Sequence, residues 1–151
     1  MKKTQRIALV QRVVGDLERR KAQALALCEQ RVRETRARLH ELETYRATYL
    51  QDFQRRAQAG LDGAGAREYR VFLSRLDEAL QHQSQLLGQA ELLRTSELES
   101  WRGAARRAAQ IDTLAEHWRA EERGAEERRE QHETDERSQQ QWRRGRSIRV
   151  N

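Results

Sequence analysis

The 151-residue chain carries 36% hydrophobic and 36% charged residues and a net charge of +6, with a mean hydropathy of -1.07. Ordinary globular domains hold roughly 45–50% apolar residues, so a single compact core enclosing a catalytic cavity is excluded as the first expectation. No stretch approaches the roughly 20 apolar residues of a membrane span.

Proline is absent from the whole sequence. Proline removes a backbone donor and clashes with the preceding turn, so its absence permits very long helices. The first element is predicted over residues 4–58. Its apolar stripe runs through Ile7, Val10, Val14, Leu17, Leu25, Cys28, Val32, Thr35, Leu39, Leu42, Tyr45, Tyr49 and Phe53, in steps of three and four, the heptad rhythm. Lys21 interrupts the stripe, where its aliphatic stem can cover apolar surface. Cys28 is the one cysteine. Its phase makes it a small core residue, and a lone thiol with no metal-ligand neighbours suits a reducing compartment. The opening Met1-Lys2-Lys3 and Ile7-Ala8-Leu9-Val10 only faintly imitate a secretory signal, because Gln11 and Arg12 cut the apolar run short. A cytoplasmic location is expected.

A turn is predicted over 59–66, at Gly60-Leu61-Asp62-Gly63-Ala64-Gly65, where glycine supplies the backbone freedom a reversal needs. The second helix is predicted over 67–141. Its stripe passes through Tyr69, Leu73, Leu76, Leu80, Leu87, Ala90, Trp101, Ala104, Ala108, Ile111, Ala115, Trp118 and Ala125, with Gln83, Arg94, Glu97 and Glu122 as polar members. At about 1.5 Å per residue the two helices would be roughly 80 and 110 Å long. Residues 142–151, with the basic block Arg143-Arg144-Gly145-Arg146-Ser147-Ile148-Arg149, are expected to be a disordered tail. The fold class is thus all-α, an antiparallel two-helix coiled-coil hairpin forming one unit over 1–151, and the expected state is a monomer. Antiparallel pairing sets Tyr49 against Leu76, Leu42 against Gln83, Val14 against Ile111 and Ile7 against Trp118. It leaves the second helix unpartnered beyond about residue 120. Intrinsic disorder and straight helices from separate chains are the competing readings.

Acids and bases interleave along the chain, as in Glu126-Glu127-Arg128-Arg129. This is the pattern of solvated faces laced by i,i+4 pairs, and it argues against nucleic acid as a partner despite a pI of about 10.2. His40, His82, His117 and His132 stand without metal-ligand spacing. No phosphate loop or nucleophile motif is present, so no enzyme and no cofactor are expected. The strongest local feature is aromatic: Tyr45, Tyr49 and Phe53 face Tyr69 and Phe72 beside the turn. Phe72, Leu76 and Ala79 share one edge of the seam, which with Leu42, Tyr45 and Tyr49 makes an apolar patch. Ordinary packing within the seam is one reading of this cluster; a partner surface is the other, because two helices cannot fully bury so many rings and exposed apolar patches often mark partners.

Several ordered segments stand out: Leu42-Glu43-Thr44-Tyr45-Arg46-Ala47-Thr48-Tyr49, Ala59-Gly60, Tyr69-Arg70-Val71-Phe72-Leu73 with Leu76, Ser100-Trp101-Arg102, Leu114, and Glu130-Gln131-His132-Glu133-Thr134-Asp135-Glu136. In this order and spacing they resemble the FliJ family of bacterial flagellar export proteins. The resemblance implies a stalk-like coiled coil of the flagellar type III export apparatus. Such a protein would bind the export ATPase and promote its hexamer, bind the cytoplasmic domain of the export gate protein FlhA, and handle export chaperones, reaching the cytoplasmic face of the inner membrane through the apparatus. It further implies gate contact at Leu42, Tyr45, Tyr49, Phe72, Leu76 and Ala79, with Arg38 and Gln83 adjoining. The implied ATPase contact lies at Val13, Val14 and Leu17, with Asp135 and Glu136 as a second segment. The stalk protein of a virulence type III secretion system, a structural oligomeric coiled coil, and a nucleic-acid- or membrane-binding coiled coil are the alternatives.

Overall fold

The computed structural model describes residues 2–149. Two helices account for nearly all of them: α1, Lys3–Gly60, and α2, Gly63–Arg149. No strand occurs among the described residues. The chain is an all-α helical hairpin, as its heptad stripes and its lack of proline require.

The helix ends follow from local chemistry. At the start of α1 the Lys2 backbone N–H donates to Gln5 Oε1 at 3.1 Å, the glutamine half of a capping box. α1 ends at Gly60 with φ at +101°, in the left-handed region that a Cβ makes costly and that commonly terminates helices. Only Leu61 and Asp62 lie between the helices, so the reversal is tighter than the expected 59–66. Asp62 accounts for this. Its Oδ1 accepts from the Gly65 N–H at 2.7 Å and its carbonyl from the Ala66 N–H at 3.0 Å, which starts α2 as an N-cap does.

Contacts divide the chain into two units, one formed by Glu18–Ala104 and the other by Met1–Leu17 with Ala105–Asn151. In the first, Val32, Thr35, Tyr69, Leu76 and Ala90 are buried. Thr35 turns its hydroxyl onto the Arg31 carbonyl at 2.6 Å, and Gln83 donates to the Thr35 carbonyl at 3.1 Å. The polar seam positions are therefore satisfied, as burial demands. Arg46–Asp77 at 2.6 Å, Arg36–Glu91 at 3.1 Å and Trp101 Nε1 donating to Glu18 at 2.8 Å continue the antiparallel register. Cys28, expected in the core, is half-buried.

In the second unit Ile7, Val14 and Ala115 are buried. Gln11 bridges both helices, donating to Asp112 and accepting from Arg119, each at 2.8 Å. Lys3 lies 4.3 Å over the Trp118 ring, and Lys2 pairs with Glu122 at 3.4 Å. Beyond Ala125 every described residue is exposed, so this part of α2 is unpartnered, as the register requires. It is nevertheless helical to Arg149. The disordered tail expected over 142–151 is corrected for 142–149, while Val150 and Asn151 lie outside the described residues. The correction has a local cause. The segment contains good helix formers, arginine and glutamine, and Arg146 and Arg149 in the last turn face the negative end of the helix dipole.

Two glycines should respond to substitution with opposite signs. Gly60→Ala places a Cβ at positive φ and should destabilise by about 1–2 kcal/mol. Gly103 lies inside α2 with open space where a Cβ would stand, so Gly103→Ala should stabilise by up to about 1 kcal/mol. Urea midpoints of both variants check this; equal signs would contradict it.

A candidate protein-docking site

Aromatic side chains gather where α1 and α2 converge on the turn. Tyr49 sits at the centre. Its ring centroid is 4.4 Å from Phe72, 4.9 Å from Tyr69 and 6.3 Å from Tyr45. Phe53 stacks on Tyr69 at 5.1 Å. Tyr45 meets Phe72 edge-on at 6.1 Å and 77°, the geometry that ring quadrupoles favour. Each contact with Tyr69 or Phe72 crosses between the helices, so the cluster fixes register as well as shape.

Burial divides the expected residues. Leu76 is 7% exposed: it lies in the core, as its place in the seam stripe expects, and not at the open edge of the patch. Leu42, Tyr49 and Phe72 are half-buried, and Ala79 is exposed. Tyr45 is 51% exposed. Tyr45, Tyr49 and Phe72 are thus brought together as a surface ridge, while Leu76 supports it from below. Arg38 pairs with Glu41 on its own helix at 3.3 Å, and Gln83 is used by Thr35.

The sequence reading missed one side of this ridge. A shallow groove runs beside Tyr49 and Phe72, lined also by Arg67, Glu68, Val71 and Arg75. Val71 is 53% exposed. Its position next to Phe72, with Arg75 one turn on, was the available signal.

Below the ridge Tyr69 is buried and its hydroxyl donates to Asp52 Oδ2 at 2.7 Å. That bond, aided by Arg56 and Arg55, holds the Asp52 carboxyl below its usual pKa. The same bond raises the Tyr69 phenol. The latch ties the Tyr69 ring across to α1 without closing the outer face of the cluster.

The second group of expected residues lies in the other unit. Val14 is buried, Leu17 half-buried and Val13 64% exposed. Leu9 and Val10, one turn before Val13, are also exposed and widen the apolar surface that the sequence reading had limited to Val13, Val14 and Leu17. Asp135 and Glu136 are exposed on the unpartnered part of α2. Gln131 donates to Asp135 at 3.3 Å, and His132 approaches Glu136 at 3.2 Å. These are contacts within one helix, and they do not join the segment to Val13.

No group of three or more histidine, cysteine, aspartate or glutamate side chains is placed to hold a metal ion among the described residues. No helix there is long and apolar enough to cross a membrane. What the surface offers is aromatic and aliphatic area framed by arginines and carboxylates, the makings of a helical docking protein. The whole of residues 3–147 matches the flagellar FliJ protein family. The chain belongs to the FliJ family, whose members are components of the flagellar type III export apparatus. No curated relative and no solved structure matches it.

The Tyr69–Asp52 latch gives a pH test. Asp52's folded pKa is depressed, so its contribution is present above the ordinary carboxylate range and is lost as pH falls through the folded value. Tyr69's is raised, so the contribution is also lost as pH rises through the folded phenol value. The melting temperature of wild type should exceed that of Tyr69→Phe most near neutrality, and the gap should shrink in acid and in strong base. A pH-independent gap would show that the bond is not its source.

Proposed function

We propose that this chain is an adaptor of flagellar protein export that joins the export ATPase to the cytoplasmic domain of the export gate protein FlhA. The gate contact is the ridge of Leu42, Tyr45, Tyr49, Phe72 and Ala79, with Leu76 holding it from inside. The ATPase contact is the surface of Val13, Val14 and Leu17, and Asp135 and Glu136 supply a second ATPase segment. Through that contact the chain promotes assembly of the ATPase hexamer. Export chaperones are further partners, and the chain reaches the cytoplasmic face of the inner membrane through the gate. The family match favours the flagellar system over its virulence counterpart.

The observation that carries the reading is Tyr45, half exposed and packed on the half-buried rings of Tyr49 and Phe72. An aromatic side chain fixed by its neighbours and open on one side binds with little further loss of side-chain freedom, and such residues dominate binding hot spots. No chemistry is required of the site. An adaptor acts through two surfaces that can be altered separately, and the two residue sets lie in different units of the fold.

Tyr45→Ala removes the exposed ring and leaves the seam residues in place. It should weaken gate binding by tenfold or more, a loss of about 1.4 kcal/mol or more, with unchanged helicity and unchanged affinity for the ATPase. Val13→Glu should do the reverse. Leu76→Ala, a core truncation, should cost about 2–5 kcal/mol of stability and weaken both interactions together. Titration of each purified partner with each variant, alongside melting curves, checks the pattern. Tyr45→Ala binding the gate as wild type does would sink the assignment.

A further inference from the structure

Residues 137–149 are used by neither of the surfaces above. They contain Arg137, Arg143, Arg144, Arg146 and Arg149 and no acid. The preceding stretch of α2 is the opposite, with Glu126, Glu127, Glu130, Glu133, Asp135 and Glu136 interleaved with its bases. Two apolar side chains stand among the arginines without cover: Trp142 is 64% exposed and Ile148 78% exposed. The Arg146 guanidinium lies 4.8 Å from the Trp142 ring, and Trp142, Gly145, Arg146 and Arg149 line one shallow groove. The segment is a formed helix, so its charges are already arranged and binding need not order the backbone.

We propose that this helical segment binds the surface of an anionic phospholipid bilayer directly. The inference does not rest on the gate and ATPase assignments. Charge complementarity points to an anionic partner, and the exposed indole selects which one. Arginines near a bilayer meet headgroup phosphates and form charge-assisted hydrogen bonds. An indole settles at the boundary between headgroups and acyl chains, where its ring is apolar and its N–H remains hydrated. Ile148 lies about 120° round the helix from Trp142, so Trp142 is the apolar side chain that meets the boundary together with Arg146 and Arg149. A nucleic-acid backbone would take the arginines and leave the Trp142 ring in water. The acids at 126–136 confine the contact to a helical stretch of about 20 Å, because a longer polyanion laid along α2 would meet like charge.

The test uses the full chain with phosphatidylcholine vesicles, with and without phosphatidylglycerol. The chain should sediment with the anionic vesicles and not with the neutral ones, and raising salt should release it, since such attraction is screened within about 10 Å at 0.1 M. Each arginine near the surface should contribute about a factor of five in partitioning. Arg143→Gln/Arg144→Gln/Arg146→Gln/Arg149→Gln should therefore lose binding by several hundredfold while circular dichroism shows the hairpin intact. Tryptophan emission should shift blue with anionic vesicles in wild type, and the shift should vanish in Trp142→Phe. This readout keeps the arginines and needs no loss of binding. Equal binding to neutral vesicles, or a four-arginine variant that still binds, would overturn the proposal. So would tighter binding of a short RNA duplex than of anionic vesicles at equal phosphate concentration, which would give the segment to nucleic acid.

Discussion

One constraint governs this molecule: two helices packed side by side share a single seam. A helix in a globule buries a wide apolar stripe against several neighbours. Here each has one partner, so a side chain on the seam is covered and a side chain one position round is left half open. Leu76 and Phe72 are four residues apart on α2, yet Leu76 is buried and Phe72 is half-buried. The aromatic ridge is a consequence of this arithmetic. Rings too large for the seam stack on one another at its edge, and their outer faces remain available.

Polar chemistry makes so thin a seam specific. Apolar contacts alone tolerate sliding between heptads. Gln83 bonded to the Thr35 carbonyl, Trp101 bonded to Glu18 and Tyr69 bonded to Asp52 each have a partner in only one register. Shifting the helices would strand these groups, and a stranded buried polar group is costly. Surface ion pairs such as Arg36–Glu91 contribute little individually, but they point the same way. Rigidity at the seam thereby becomes a fixed geometry at the surface, which a docking protein needs.

Much of this was legible in the sequence. The absence of proline and the glycines at 60–65 marked two helices and one reversal, and the stripes gave their register because an antiparallel pair has few alternatives. The tightness of the turn was not legible, since it depends on Asp62 capping α2 and not on glycine alone. The place of Leu76 was ambiguous because heptad phase drifts along a long helix, and a residue between seam and edge is settled only by the actual packing. The helix over 142–149 left no periodic signal. Arginine, glutamine and serine without an apolar stripe read as a tail, and the helix there follows from local propensity and the dipole. The family resemblance pointed to the patch through its tyrosines, but the groove beside it at Val71 and Arg75 was not foreseen.

The antiparallel seam within one chain is the central claim, and a distance measured across it is the most direct test. Nitroxide labels at Arg36→Cys and Glu91→Cys, in a Cys28→Ser background, would sit on residues that face each other across the seam. Helix axes packed about 8–10 Å apart predict a label separation of roughly 10–25 Å, unchanged when labelled chains are diluted with unlabelled ones. A separation beyond roughly 50 Å, as two straight helices in one chain would give over about 55 residues at about 1.5 Å each, would contradict it. So would a short distance that disappears on dilution, which would place the partner helix in a second chain.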